Sequence, residues 1–181
     1  MSKIGKKPVI IPDGVEIKID DGFLEFKKGN ESLKIKALSY IEAEIKDNTL
    51  VFKSLNTSKQ ARANWGTIRA LSQNAIDGLT KGFFKNLEIE GVGYRVNMEG
   101  DVLVLNVGLS HPIKYKAPMG VNIVTEKNVI KVSGIDKFLV GKAAAEIRKF
   151  KKAEPYQGKG IKYQGEIIRR KVGKKMAGAT K

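Results

Sequence analysis

The segment 154–163, which reads Glu-Pro-Tyr-Gln-Gly-Lys-Gly-Ile-Lys-Tyr, holds the residue types with the most evident chemistry in this chain. Its glycines expose backbone N–H groups that can donate to phosphate oxygens, and its lysines supply positive charge. Its tyrosine rings can stack on bases, and their hydroxyls can hydrogen-bond a ribose. The segment therefore predicts contact with a nucleic acid. The candidate residues are Tyr156, Gly158, Lys159, Gly160, Lys162 and Tyr163.

Positive charge is concentrated in the last quarter of the chain. The 181 residues include 34 Lys and Arg against 19 Asp and Glu, which is a formal net charge of +15. Residues 136–181 hold fourteen basic and four acidic groups, whereas residues 8–52 hold six basic and nine acidic ones. A concentrated excess is typical of a phosphate-binding surface, although a solvated basic tail is the alternative. Further candidates are Arg169, Arg170, Lys171, Lys174 and Lys175, with Lys3, Lys6 and Lys7 as a secondary group.

An amphipathic helix is predicted just before this basic segment. Its core-directed positions are Leu139, Ala143, Ile147 and Phe150. On the opposite side, an arc of about 60° carries Lys137, Gly141, Arg148 and Lys152. Three cations with a glycine among them suit close approach to a phosphate backbone, and an ordinary solvated helix face is the alternative. We include Lys137, Arg148 and Lys152 among the candidate binding residues.

The same pattern of elements occurs twice. Alternating apolar and polar residues at 15–19 and 23–26 have counterparts at 94–98 and 102–105, with a Gly-containing turn inside each pair. Further strand patterns and one amphipathic helix follow in each half, and Thr57 or Ser58 can cap the first helix. The first helix is predicted to bury one stripe at helical spacing, which comprises Ala61, Trp65, Ile68, Ser72, Ala75 and Leu79. This order predicts an α+β fold of two similar tandem domains, each a small, mostly antiparallel sheet packed with one helix. We place the domains at 1–81 and 82–181, the second with the basic binding tail.

Several chemical classes are excluded by composition. The chain has no Cys and one His, which excludes a disulfide scaffold, thiol catalysis and a multi-histidine metal cage. No apolar run reaches the roughly 18 residues of a membrane span, and the first residues lack the apolar stretch of a secretory signal. We therefore expect a soluble intracellular protein.

Two short motifs suggest chemistry that their context does not support. Gly91 and Gly93 form Gly-x-Gly between predicted strands, without the third glycine and helix of a dinucleotide site, so a strand bend is favoured. His111 follows Ser110 in sequence, but a nucleophile and its base need spatial geometry and an orienting acid. We interpret His111 as a turn residue, and a hydrolase that uses it is a competing hypothesis.

Longer motifs occur in one order over nearly the whole chain. They are Ser2–Pro8 with Ile11–Val15, Trp65–Leu71, Ile89–Arg95, Ser110–Pro112, Gly134–Lys137, Ala143–Arg148, Glu154–Tyr163 and Arg169–Lys175. Together they resemble the bacterial-type family of large-subunit ribosomal protein number six. The chain departs from the family pattern at Trp65, where His is frequent, at Ala153, where Pro is usual, and at Gln157, where Lys is usual.

The resemblance implies a fold of two similar α+β domains and a structural role in the large ribosomal subunit. It implies binding to large-subunit ribosomal RNA, mostly by the C-terminal half, near the base of the factor-binding stalk and the sarcin–ricin region. It implies neighbouring ribosomal proteins as further partners and a cytoplasmic, ribosomal location. It implies no enzymatic activity, no cofactor, no metal, no small-molecule substrate and no membrane.

Binding is expected to proceed by counterion release at a cationic surface that recognises shape and backbone. Because residues 155–175 combine Gly and Lys without a core pattern, we expect them to order on the RNA. The competing hypothesis of another class is a free-standing nucleic-acid chaperone or a binder of anionic membranes. It predicts equal affinity for any duplex or vesicle, and the absence of a basic amphipathic helix with large exposed apolar groups disfavours the membrane version.

Overall fold

The computed structural model describes residues 3–20 and 22–173. Within them the chain forms thirteen strands and two helices. The strands are β1 Val9–Ile10, β2 Glu16–Asp20, β3 Phe23–Lys28, β4 Glu31–Lys36, β5 Ile41–Lys46, β6 Thr49–Ser54, β7 Phe83–Glu90, β8 Arg95–Glu99, β9 Val102–Asn106, β10 Ile113–Lys116, β11 Val121–Glu126, β12 Val129–Gly134 and β13 Gly160–Tyr163. The helices are α1 Lys59–Lys81 and α2 Lys137–Phe150.

The chain divides into two compact units. Over the described residues, the first runs through Phe83 and also takes in Ile135–Lys137, and the second comprises Phe84–Gly134 together with residues 138–173. In the first unit, one sheet has the order β2-β3-β4 and another has β1-β6-β5. In the second unit, the corresponding orders are β8-β9-β10 and β7-β12-β11, with β13 added beside β7. The duplicated α+β fold is thus confirmed, while the boundary between residues 81 and 82 stays a prediction.

The core of the first unit follows the apolar stripe of α1. Ser58 caps this helix, since its Oγ accepts a hydrogen bond from the Ala61 amide at 3.1 Å. Of the predicted stripe, Trp65 is half-buried, and the buried members are Ala61, Ile68, Ser72, Ala75 and Leu79. Phe26 and Leu50 are fully buried among the core residues of the sheets in the same unit.

In the second unit the buried face of α2 is rotated from the predicted one. Ala143 and Ile147 are buried as expected, but the centre of the face also includes Val140 and Ala144. Phe150 is 36% exposed and lies edge-on to Tyr115 at 5.9 Å, so its prediction as a core residue is wrong. Phe150 is the last residue of the helix, and the buried positions of α2 end at Ile147.

A further correction concerns the C-terminal segment, for which the sequence suggested no core pattern. Residues 160–163 form β13, which pairs antiparallel with β7 and places Ile161 opposite Ile89. The Ile161 side chain is completely buried. One inward side chain is enough for a short edge strand, because backbone pairing supplies the rest of its contacts. The expectation that this segment lacks a core pattern is therefore wrong for 160–163.

Candidate nucleic-acid interface

The basic surface of the second unit is built on a loop that follows α2 and turns back into β13. The Ile161 amide donates to Lys151 O at 2.7 Å, and the Glu154 amide donates to Lys159 O at 3.0 Å. Inside this closed loop, the Gly158 amide donates to Glu154 O at 3.0 Å. The Gly158 N–H group is therefore hydrogen-bonded within the chain, whereas the sequence predicted that it donates to a phosphate oxygen.

The two glycines of this loop have packing roles. Gly160 has φ +143°, and a Cβ placed on it would lie 2.6 Å from both Ala153 Cα and Ala153 N. Gly158 has φ +77°, and a Cβ there would lie 3.2 Å from Arg170 Nη2. Glycine is thus required at position 160, where two backbone segments approach closely. At position 158 the positive φ favours glycine, and the Arg170 guanidinium lies over the loop there. Whether either glycine also contacts RNA stays a prediction.

Residues beyond β13 lie against the same loop. The Lys171 amide donates to Pro155 O at 2.8 Å, which ties the chain after Glu166 to the loop after α2. This contact brings two basic stretches, 151–159 and 169–171, to one surface. We call it the cationic surface, and we define it by Lys152, Lys159, Arg169, Arg170 and Lys171.

Within the described part of the chain, the members of the cationic surface have no carboxylate partner. Lys152, Arg169, Arg170 and Lys171 are exposed, and Lys159 is half-buried. Among residues 3–20 and 22–173, none of the five side chains forms a salt bridge. Apolar and aromatic side chains are exposed within these stretches or next to them, with Tyr156 at 57%, Ile167 at 94% and Val172 at 87% exposure. Cations interleaved with exposed rings and alkyl groups suit a phosphate backbone carrying bases or riboses.

Arg148, predicted to face RNA, is instead paired within the protein. Its Nε and Nη2 donate to the two carboxylate oxygens of Glu166 at 3.2 and 2.5 Å. The guanidinium also lies 5.3 Å from the centre of the Tyr163 ring. Both partners of the ion pair are about seven-tenths buried, with side-chain exposures of 29% and 27%. The bidentate geometry of this pair fixes Arg148 against the turn that follows β13.

Lys162 is paired in a similar way. Its Nζ lies 2.6 Å from a carboxylate oxygen of Glu90 and 3.7 Å from one of Glu88, and its side chain is 17% exposed. The hydrogen bond to Glu90 is the main cause that raises the pKa of Lys162 above its ordinary value. Both carboxylates belong to β7, the neighbour of β13 in the sheet. The positive charge of Lys162 is therefore balanced by the carboxylates of β7, which weakens its attraction for an anionic ligand.

The remaining predicted residues belong to the first unit or lie outside the described residues. Lys137 belongs to the first unit, where its Nζ donates to Asn74 Oδ1 at 3.2 Å and lies 5.6 Å from the centre of the Phe83 ring. Lys3, Lys6 and Lys7 are exposed residues of the first unit. Lys174 and Lys175 lie outside the described residues.

Sequence reasoning missed three residues near the cationic surface. Lys149 is exposed in the last turn of α2, and Lys151 follows the helix. The Lys85 Nζ lies 6.0 Å from the centre of the Tyr163 ring. A signal for the first two existed, because the run from Arg148 to Lys152 contains four cations around Phe150. No signal pointed to Lys85, since its proximity to Tyr163 depends on the pairing of β7 with β13.

The ion pair of Glu166 predicts a pH dependence of stability. The pKa of Glu166 is lowered from its ordinary value of 4.5, first by the hydrogen bond from the Tyr163 amide and next by the Arg148 side chain. A carboxylate whose pKa falls on folding stabilises the folded state above the unfolded pKa, and this contribution is lost as the pH drops through the folded one. The unfolding free energies of wild type and Glu166→Gln should thus differ most near neutral pH, and the difference should shrink as the pH falls below about 4.5 and vanish below the lowered pKa of the folded state.

Denaturant unfolding of both chains between pH 7 and pH 3 measures this difference. Arg148→Gln keeps the Tyr163 amide as a donor, so part of the pH dependence should survive in that variant. A difference between wild type and Glu166→Gln that stays constant over the whole range would contradict the prediction.

Other kinds of site find little support in the described structure. Over residues 3–20 and 22–173, no cluster of three or more His, Asp or Glu side chains is arranged to hold a metal ion. Neither α1 nor α2 is long and apolar enough to cross a membrane.

Comparison with known proteins matches this chain over nearly its full length. A sequence model of the family described as Ribosomal protein L6 matches residues 11–82 and 90–164, one segment in each half. A protein of Campylobacter jejuni named large ribosomal subunit protein uL6 is 51% identical over 174 residues, which cover 96% of this chain and 98% of that protein. Proteins of the same name from Nitratiruptor and Aliarcobacter butzleri are 52% and 48% identical over the same shares of both chains.

Proposed function

Since the chain belongs to the ribosomal protein L6 family and is a structural constituent of the large ribosomal subunit, we propose that its cationic surface is the part that binds large-subunit ribosomal RNA. The family is a structural one, and the proposal includes no catalytic step. The resemblance to the family supports a position near the base of the factor-binding stalk.

The observation that carries the proposal is the unequal use of charge in the second unit. Arg148 and Lys162 are paired with carboxylates, whereas Lys152, Lys159, Arg169, Arg170 and Lys171 form no salt bridge within the described residues. Cations held together on one surface repel one another, and the binding of an anionic ligand offsets this repulsion. The backbone bond from Lys171 to Pro155 holds the two stretches together, so the repulsion is not relieved by separation.

The chemistry of binding follows from these groups. Each lysine or arginine that meets a phosphate releases condensed counterions, which makes affinity fall as salt concentration rises. The exposed Tyr156 ring is available to stack on an unpaired base, and the arginines offer planar forks for phosphate oxygens. We expect recognition of backbone shape more than of base sequence.

A binding titration of the full chain tests the proposal. Large-subunit ribosomal RNA purified from Campylobacter jejuni should bind more tightly than a DNA duplex of equal charge, with a linear decrease of log affinity with log salt. The protein should also sediment with large subunits through a moderate-salt gradient. Equal affinity for both nucleic acids would favour a general polyanion binder and defeat the proposal.

A further inference from the structure

The acidic residue Glu166 stands in the middle of the most basic part of the chain. Its carboxylate would lower the affinity of this region for RNA if electrostatics alone decided its effect. Instead it accepts hydrogen bonds from three groups: Arg148 Nε, Arg148 Nη2 and the Tyr163 amide. The Glu166 amide donates in turn to Tyr163 O at 3.0 Å, so the turn 163–166 is closed on both sides.

This turn determines the direction in which the chain continues. Gly165 within it has φ +79°, and the Gln164 amide donates to Asn86 O of β7 at 3.0 Å. The following residues have no regular secondary structure, and up to residue 173 their single backbone tie is the bond from Lys171 to Pro155. The direction of the stretch 167–171 therefore depends on the turn at one end and on that bond at the other.

We propose that Arg148 and Glu166 form a clamp that holds residues 167–171 in position for RNA binding, and that Arg148 acts through Glu166 rather than through a phosphate. Arg148 is thus a positioning residue. This inference rests on the proposed function, because it assigns a role within the same cationic surface. The lowered pKa of Glu166 agrees with it, since the causes of the lowering are the hydrogen bonds that the charged carboxylate accepts from the Tyr163 amide and from Arg148.

Because Glu166 is negatively charged, the clamp and simple electrostatics predict opposite effects of its replacement on RNA affinity. Glu166→Gln removes one negative charge from a protein that binds a polyanion, so electrostatics alone predicts tighter binding. The clamp predicts the opposite, a loss of about five- to tenfold in affinity for large-subunit ribosomal RNA, because a charge-assisted bond that orders the binding stretch is removed.

Glu154→Gln is the matched control. Glu154 is another acid of the basic segment. Unlike Glu166 it is exposed, and among the described residues its side chain has no hydrogen-bond or salt-bridge partner. Its removal changes the net charge by the same amount, and the affinity should stay equal or rise up to about threefold. The two variants should therefore change affinity in opposite directions.

Two further measurements keep the inference falsifiable if Glu166→Gln is poorly folded. Arg148→Lys keeps the positive charge but loses the planar fork, so it should weaken binding like Glu166→Gln, whereas a phosphate contact would largely survive. In the absence of RNA, hydrogen exchange at 163–171 should be faster in Glu166→Gln and in Arg148→Lys than in wild type, and exchange in β9 and β12 should be unchanged.

The possible outcomes separate the two levels of the proposal. If the wild type binds the RNA and Glu166→Gln binds as tightly as Glu154→Gln, the clamp is overturned and the proposed function stands. Wild type without salt-dependent binding would overturn the proposed function and the clamp with it. Weaker binding by Glu166→Gln and Arg148→Lys, with Glu154→Gln unchanged or tighter, supports both.

Discussion

Replacing Gly160 by alanine is expected to destabilise the second unit by about 2–4 kcal/mol, through backbone strain and overpacking together. Its φ of +143° is rarely adopted by residues with a side chain. The added methyl would also lie 2.6 Å from Ala153 Cα and 2.7 Å from Lys152 C, which are backbone atoms and cannot rotate away. Relief would require the loop after α2 to separate from β13.

Calorimetric unfolding and hydrogen exchange across 151–163 measure this effect. Trp65 is the only tryptophan and belongs to the first unit, so fluorescence alone would not follow the second unit. The matched control is Gly141→Ala in α2, where a Cβ would meet nothing within 4 Å. That substitution should be neutral or stabilise by up to about 1 kcal/mol, because alanine favours the helix. Equal effects of the two substitutions would contradict the packing role of Gly160.

Neutralising four members of the cationic surface together is expected to reduce RNA affinity more than any of the single substitutions described above. The variant carries Lys152→Gln, Lys159→Gln, Arg169→Gln and Arg170→Gln. Removing four phosphate contacts should reduce the slope of log affinity against log salt by about 3, and affinity near 0.1 M salt by roughly 10²- to 10³-fold. A salt titration of binding to large-subunit ribosomal RNA measures both quantities.

A second quadruple variant controls for net charge. It carries glutamine at Lys18, Lys27, Lys28 and Lys36, which belong to the strands β2 to β4 of the first unit. Its net charge changes by the same four units, but in a stretch where acids outnumber bases. We expect its slope to stay close to that of wild type. Equal slopes for the two quadruple variants would show that total charge, rather than the cationic surface, determines binding.

Patterns of short range were predictable from the sequence. The stripe from Ala61 to Leu79 has helical spacing, and the structure buries it except at Trp65, which is half-buried. Alternation with Gly-containing turns predicted the hairpins, since period two and turn chemistry are local properties. The duplication was visible for the same reason, because each half carries the same local patterns in the same order.

Properties that depend on distant neighbours were not predictable. Lys162 and Lys159 look alike in sequence, yet only Lys162 lies beside Glu90, seventy-two positions away, through the register of β13 against β7. Arg148 was predicted to face RNA from its position on a helix wheel. A wheel gives the direction of a side chain but not the residue that it contacts. The structure places Glu166 there. Charge counting therefore identified the correct segment, but it could not separate cations paired within the protein from those left without a carboxylate.

The place of β13 in the chain has a consequence for biogenesis. β7 is synthesised long before β13, so its outer edge has no partner until residues 160–163 have left the ribosome that makes them. An unpaired strand edge is prone to association with other chains. The strand that covers this edge also connects the loop after α2 to the stretch 167–171. Completion of the sheet and assembly of the cationic surface are therefore one event, so a chain with an open edge also lacks the surface for RNA.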